Sequence, residues 1–241
     1  MDRESTSTAL ELTYVLYDAG SHVSFVFALV TLTPILLMAS YAALAVVTRD
    51  ILVIEMWAGQ LACEGLNWII KRVVREERPV DYLGSGYGFP SSHSQYMGYF
   101  SSFLMMHLFF RHRFTSSRNK LLDIMFRLLV YVILVSLALV VCYSRIHLSY
   151  HTTTQVLWGA GIGVGFGIFT YAILELVPKC YPESLIGRLR RGLLLHPIAI
   201  WIRIKDGWSV WEDGGREAEW QEWRKIGSDV VLHDASTSST K

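Results

Sequence analysis

The chain has 241 residues, of which 52% are hydrophobic and 18% charged, and its formal net charge is +1. This length fits one or two domains, and a charge so close to zero gives no indication of a nucleic-acid partner. The three cysteines, which are scattered along the sequence, lack the spacing of a metal site.

Long stretches with few charges run through most of the sequence. The strong candidates for membrane spans, with at most one charge each, are residues 23–47, 124–143 and 153–171. The weaker candidates are residues 51–70 and 95–110. A helix needs roughly 20 apolar residues to cross a bilayer core. The sequence therefore predicts an all-α fold, an integral membrane helical bundle with four to five transmembrane spans.

The polar segments between these spans alternate between the two faces of the membrane. Residues 71–92 and 144–151 share one face, and residues 111–123 share the other face with the C-terminal tail. Basic residues in short loops favour the cytosolic side, and the second face carries more Lys and Arg. The sequence therefore predicts a cytosolic C-terminal tail and puts the first face away from the cytosol.

This topology divides the chain into an N-terminal polar segment (1–22), a transmembrane domain (23–176) and a C-terminal tail (177–241). In the tail, basic residues alternate with Leu, Ile and Trp. Such a pattern is typical of a segment that lies at the membrane interface, and it equally fits a small cap packed on the helices. Residues 211–226 are expected to form a short amphipathic helix.

The first polar cluster is the sequence KRVVREERP, residues 71–79. If the preceding helix continues, Lys71 and Arg78 lie on one of its faces, about two turns apart, and Pro79 ends it. Two cations at a membrane surface suit an anion, although a basic helix end also anchors a span to lipid headgroups.

The second cluster, Pro90-Ser91-Ser92-His93, leads into an apolar helix. Ser92 and Gln95 have the spacing of a capping box, which is a structural reason for both residues. A helix N-terminus offers unpaired N–H groups and a positive dipole end to an anion. His93 in the first turn is able to donate a proton, although taken alone it would be an incidental polar residue.

The third cluster lies between the last two spans. Arg145 ends one span and His151 begins the next, with Thr152 and Thr153 as N-cap candidates. Gln155 follows His151 by one helical turn and lies on the same face. His147 sits between the two spans and is interpreted as structural.

Together the clusters bring permanent positive charge, a pair of histidines and two helix N-termini to one face. Arg binds phosphate oxygens in a bidentate manner, and Lys acts as a point charge. No Asp or Glu cluster is evident for Mg²⁺, so we expect neither a metal nor a cofactor. The nucleophile would then be a neutral histidine and the acid a protonated one, which predicts a bell-shaped dependence of activity on pH.

Three ordered motifs resemble the signatures of the type 2 phosphatidic acid phosphatase/haloperoxidase superfamily. They are Lys71-x6-Arg78-Pro79, Pro90-Ser91-Ser92-His93 and Ser144-Arg145-x5-His151. The resemblance implies that His151 is the nucleophile, which forms a phosphohistidine, and that His93 is the general acid. The phosphate-binding residues that it implies are Lys71, Arg78, Ser91, Ser92 and Arg145.

Two positions depart from the superfamily pattern. Ser92 stands where glycine is common, and Gln155 stands where an aspartate commonly orients the nucleophile. An amide fixes the tautomer of an imidazole, but it does not stabilise imidazolium as a carboxylate does. The sequences PSSHSQ and YSR…YH-T-x-x-Q-V resemble the dolichyl diphosphatase branch in particular. This resemblance implies that Gln155 is a feature of the branch.

The branch implies hydrolysis of dolichyl diphosphate, a polyprenyl lipid, at the lumenal face of the endoplasmic reticulum membrane. The product recycles the lipid carrier of protein N-glycosylation. Helix faces near Trp68, Tyr96, Tyr99 and Phe100 are candidates for lateral entry of the polyprenyl tail. Phosphatidate, a sphingoid phosphate or another polyprenyl diphosphate remain open as substrates, as does a non-catalytic lipid-phosphate binder. A haloperoxidase or a transporter fits the sequence less well.

Overall fold

The structure is a computed structural model that describes residues 15–18, 20–79, 86–113 and 120–226. The polar segment up to residue 14 and the end of the tail from residue 227 lie outside the described residues. All regular elements in the described ranges are helices, as the sequence predicts. They are α1 (His22–Val30), α2 (Thr33–Thr48), α3 (Ile51–Val74), α4 (Ser92–Phe110), α5 (Lys120–His147), α6 (Thr153–Tyr171), a π-helical turn (Ala172–Leu176), α7 (Val177–Cys180), α8 (Leu185–Leu194), α9 (Pro197–Trp201) and α10 (Gly207–Val210). The expected amphipathic helix is present at residues 216–226.

Three helical segments are long and apolar enough to cross a membrane: His22–Thr48, Lys120–His147 and Thr153–Cys180. They correspond to the strong candidates of the sequence. The weaker candidates correspond to α3 and α4, which are more polar than these three segments. Their polarity has a physical reason in α4, which packs against α3, α5 and α6 and buries residues on all its sides. A helix shielded by its neighbours does not need an apolar surface for lipid.

The first span is divided into two helices, where the sequence predicts one. Pro34 has no N–H to donate to the carbonyl of Val30, so the helix cannot run on unbroken at this point. The Thr33 hydroxyl donates to that carbonyl instead, at 2.6 Å. The break leaves Thr31 buried between α1 and α2, where its backbone faces the start of α4.

Helices α4 and α6 form the closest pair of the bundle. Gly159, Gly163 and Gly167, spaced by four residues, bring the backbone of α6 against that of α4. A Cβ atom at Gly159 would lie only 2.5 Å from the carbonyl oxygen of Ser91. Small residues therefore fix the distance between the two helix N-termini.

The bundle has two ends with different chemistry. At one, the Ser91 N–H at the start of α4 donates to the carbonyl of Gln155 at 3.1 Å. At the other, the tail returns to the start of α3, where the Ile51 N–H donates to the carbonyl of Lys205 at 2.9 Å. We call these the site end and the tail end. Among the described residues, Glu76, Gly88 and His151 lie at the site end, and Arg111 lies with Arg190 and Asp206 at the tail end.

A buried ion cluster holds the tail to the tail end. Arg190 of α8 pairs with Glu55 at 2.9 Å, Glu175 at 2.8 Å and Asp206 at 3.0 Å. Arg111, which follows α4, pairs with the same Glu175 at 3.2 Å. The tail is therefore packed as a cap, as one of the two sequence interpretations has it. Its outer surface remains apolar, with exposed Leu189, Leu193, Ile198, Ile200 and Trp201.

Candidate active site

The cationic side chains of the site come from the ends of two helices and from a loop. Helix α3 ends at Val74, and Arg75 adopts a left-handed φ of 54° that turns the chain away from the helix axis. The expectation of one helix face shared by Lys71 and Arg78 is therefore wrong, because Arg78 lies beyond the helix end. The turn nevertheless brings Arg78 back close enough for its charge to act on Lys71.

Arg145 stands at the end of α5 with 5% of its surface exposed. Its guanidinium carbon lies 4.1 Å from the centre of the Tyr150 ring. Among the described residues it has no carboxylate within ion-pair distance. A buried cation without a counter-ion is costly, so this position suits an anionic ligand. Ser144 next to it donates to the carbonyl of Val141 at 2.6 Å and has the packing role that its burial suggests.

His151 precedes α6 and is almost fully buried. Its Nδ1 lies 3.1 Å from Oε1 of Gln155. The backbone N–H of Thr152 donates to the same Oε1, and the Thr152 hydroxyl accepts from the Gln155 N–H. This capping box orients Gln155 from within its own helix turn, and Gln155 in turn orients the imidazole.

The start of α4 differs from its expected form in two respects. Its N-cap is Ser91, without a side-chain cap, and Gln95 hydrogen-bonds Asn67 and Cys63 instead of capping. The prediction of a Ser92–Gln95 capping box is therefore wrong. The Ser91 N–H, expected to bind phosphate, is donated to Gln155. The amides of α4 that remain for an anion begin with Ser92, the first residue of the helix.

His93 lies in the first turn of α4, within electrostatic range of Arg145 and His151. Its ring is hydrogen-bonded to the backbone of Thr31, at the break between α1 and α2. The division of the first span therefore has a role at the site, since it brings a backbone acceptor to this histidine. No sequence signal pointed to Thr31.

The pKa values of three titratable groups at the site are all lowered. Burial lowers the pKa of His151 to about 3, and the charges of Arg145 and Arg78 act in the same sense. Burial and the Arg145 charge hold the pKa of His93 well below its ordinary value. Burial also lowers the pKa of Lys71 to about 8, and Arg78 contributes to the shift. Burial is the largest cause of each shift, and the neighbouring positive charges add to it in the same direction; these charges favour an anion at the site.

Two further expectations concern residues around the site. His147 contacts Ser24 and the Phe27 ring of α1, which agrees with a structural role. The lateral entry expected near Tyr96, Tyr99 and Phe100 is wrong. These three side chains belong to the buried core of the bundle. Trp68 is exposed, and the guanidinium carbon of Arg72 lies 3.3 Å from the centre of its ring.

The described residues contain no group of three or more His, Cys, Asp or Glu side chains that could hold a metal ion. What they do gather at the site end are cations, helix amides and paired imidazoles. Such an arrangement has the chemistry needed to bind a phosphate and to offer it a nitrogen nucleophile.

Comparison with known proteins agrees with this chemistry. Residues 51–178 match the family described as the PAP2 superfamily. The chain belongs to this superfamily. The PAP2 match begins with α3 and ends in α7, so it includes every cation and histidine of the site.

The most similar curated proteins include three from distant organisms. "Dolichyldiphosphatase 1" of Homo sapiens is 34% identical over 201 residues, 79% of this chain and 84% of that protein. "Dolichyldiphosphatase 1" of Dictyostelium discoideum is 33% identical over 205 residues, 83% and 82% of the two chains. "Dolichyldiphosphatase" of Saccharomyces cerevisiae is 33% identical over 173 residues, 68% and 70%. No solved structure matches the chain significantly.

Proposed function

We propose that this chain is a dolichyl diphosphatase, which hydrolyses dolichyl diphosphate to dolichyl phosphate and inorganic phosphate. The observation that carries the proposal is the convergence of Lys71, Arg145, His93 and His151 at the N-termini of α4 and α6. The relatives named above supply the substrate class. A diphosphate headgroup would provide the anion that the buried Arg145 lacks among the described residues.

The reaction that fits these residues has two steps. Nε2 of His151 attacks the terminal phosphorus, and a bond from nitrogen to phosphorus forms as the bond to the leaving oxygen breaks. His93 gives its proton to that oxygen, so dolichyl phosphate departs. Water then attacks the phosphorus, so an oxygen–phosphorus bond forms as the bond to Nε2 of His151 breaks. His93 takes the proton from the water, and inorganic phosphate is released. Lys71, Arg78, Arg145 and the amides that begin at Ser92 stabilise the charge on the phosphoryl oxygens.

The protonation states needed for these steps follow from the local charges. With a pKa of about 3, His151 is neutral at physiological pH and ready to attack. His93 is also neutral before substrate binds, because its pKa is lowered. An anionic headgroup raises the pKa of a neighbouring imidazole, so we propose that His93 becomes an acid when the substrate arrives. The alkaline limb of the pH profile then belongs to the complex.

The proposed location is the endoplasmic reticulum membrane, with five spans and the site end in the lumen. The expected domain bounds, 23–176 for the transmembrane phosphatase domain and 177–241 for the tail, fit this topology. The basic tail and the basic residues around Arg111 support a cytosolic tail end. The substrate tail would remain in lipid while its diphosphate enters the site.

A broader lipid phosphatase is the second candidate, because the match to the PAP2 superfamily includes the catalytic motifs and not a lipid-binding surface. Both candidates are tested with purified protein in EDTA, offered dolichyl diphosphate and phosphatidate in competition. We expect phosphate release with preference for dolichyl diphosphate and no dependence on added metal. Preference for phosphatidate would retain the chemistry and remove the substrate assignment.

The matched variants are His151→Ala and His147→Ala, which remove histidines four residues apart, the second from the end of α5. We expect the first to abolish turnover and the second to retain it, since the contacts of His147 with described residues are to Ser24 and Phe27 of α1 and to Tyr143 of α5. Binding of both lipids without phosphate release by the wild type would instead identify a lipid-phosphate binder.

A further inference from the structure

The side chain of Gln155 is held in one orientation by four hydrogen bonds. Its Nε2 donates to Oε1 of Glu76 at 2.8 Å and to the carbonyl of Glu77 at 2.9 Å. Its Oε1 faces Nδ1 of His151 and the N–H of Thr152. A reversed amide would set its oxygen against two acceptors and its NH₂ against a donor. The oxygen must therefore face the histidine.

This orientation decides the tautomer of His151. Because the amide oxygen only accepts, Nδ1 carries the proton and donates it to Gln155. Nε2 then keeps its lone pair, which is the form required of a nucleophile. Gln155 thus performs one task of the aspartate that it replaces, but it brings no negative charge of its own.

We propose that Glu76 is a positioning residue that supplies this missing charge to His151 through the Gln155 amide. The proposal rests on the proposed function, in which the His151 ring becomes positively charged while it carries phosphate. Nδ1–H then donates more strongly to the Gln155 oxygen, and the Glu76 carboxylate polarises the amide in the same direction. The path runs from Nδ1–H of His151 to Oε1 of Gln155, and then from Nε2–H of Gln155 to the carboxylate of Glu76.

The backbone around Glu76 is arranged for this contact. The chain turns at Arg75, and the carbonyl of Glu76 accepts from the Gly88 N–H at 2.7 Å. A Cβ atom at Gly88 would lie 2.8 Å from both Nε2 of Gln155 and the carbonyl of Glu77. Only glycine at position 88 therefore leaves room for the hydrogen bond between the Glu77 carbonyl and Gln155.

A simpler role for Glu76 would be general charge balance among Lys71, Arg78 and Arg145. Glu77 separates the two roles, because it carries the same charge on the next residue and reaches Gln155 only through its backbone. Glu76→Gln removes the charge and keeps an acceptor for the amide. Glu77→Gln removes an equal charge and leaves the path intact.

The test is a double-mutant cycle on the full-length protein, with kcat and KM for dolichyl diphosphate measured separately. We expect Glu76→Gln to lower kcat by about 10–100-fold, with little change in KM. This is the range for groups that act on a reacting centre through an intervening residue. Glu77→Gln is expected to lower kcat much less. Equal losses in the two variants would assign general charge balance and overturn the proposal.

The second arm of the cycle exchanges the two groups. Gln155→Glu alone places two carboxylates in contact and should inactivate the enzyme. With Glu76→Gln it restores one amide and one carboxylate in reversed order, so we expect the double variant to recover at least about tenfold over Gln155→Glu. Losses that simply add in the double variant would show that the two positions are not coupled.

A readout without turnover keeps the proposal testable if dolichyl diphosphate is not the substrate. In ¹⁵N-histidine-labelled protein with inorganic phosphate, the His151 resonance is assigned by its loss in His151→Ala. We expect a protonated Nδ1 whose proton signal moves upfield in Glu76→Gln and stays in place in Glu77→Gln. A protonated Nε2, or no shift in Glu76→Gln, would overturn the relay whatever the substrate.

Discussion

Replacement of Gly159 by alanine tests whether backbone contact between α4 and α6 sets the geometry of the site. The new Cβ would lie 2.5 Å from the Ser91 carbonyl oxygen, whereas ordinary contact begins at 3.4 Å, so the helices must part by the difference of 0.9 Å. A displacement of about 1 Å at reacting groups lowers the rate by roughly 10²-fold. We therefore expect kcat to fall by about 30–100-fold, in the assay of phosphate release.

The expected loss of stability in Gly159→Ala is modest. Overpacking costs about 1–3 kcal/mol, and alanine in place of glycine returns up to about 1 kcal/mol of helix propensity. Gly161→Ala is the matched control, because a Cβ there meets no atom within 4 Å. It should keep full activity and unfold at the same or a higher temperature. Full activity in Gly159→Ala, or equal losses in both variants, would refute the reasoning.

Three further predictions concern the charges and the loop. Because Lys71 loses its proton as the pH rises through about 8, kcat/KM should decline above that pH, and Lys71→Arg should move the decline upward; an unmoved decline would assign it to another group. Arg190→Met removes the cation of Glu55 and leaves Glu175 and Asp206 with Arg111 alone, so thermal unfolding should register a loss of about 3–5 kcal/mol. Its neighbour Arg191 is exposed and paired with Glu183, so Arg191→Met should lower the free energy of unfolding by at most about 1 kcal/mol. Similar losses in Arg190→Met and Arg191→Met would contradict the burial argument. Gly88→Ala should lower kcat by about tenfold or more by displacing the loop from Gln155; unchanged kcat would show that the loop tolerates a Cβ.

The same local pattern occurs twice in the sequence, and only one copy forms a capping box. Ser92 and Gln95 have the required spacing, as do Thr152 and Gln155, yet only the second pair makes the reciprocal bonds. Gln95 is fully buried and finds Asn67 on α3. Spacing cannot decide between these outcomes, because the competing partner lies on another helix.

Motif spacing found the cations and histidines of the site but not Glu76. Its contact with Gln155 joins positions 79 residues apart in the sequence, and it depends on a turn at Arg75 that the expected continuous helix omitted. Thr31 was missed for the same reason, since its carbonyl becomes available only where Pro34 breaks the span. Local patterns predict which residues are chemically able, and tertiary contacts decide which of them meet.

The glycine contact between α4 and α6 also bears on how the protein responds to its membrane. Two backbones in direct contact have no flexible side chain between them to absorb a change in angle. A thicker or thinner bilayer is therefore expected to tilt both helices together as one body. Since His93 lies in the first turn of one helix and His151 precedes the other, their separation should stay constant across lipids of different chain length. Membrane composition would then govern how the substrate reaches the site, and the rate of bond cleavage would remain a property of the protein.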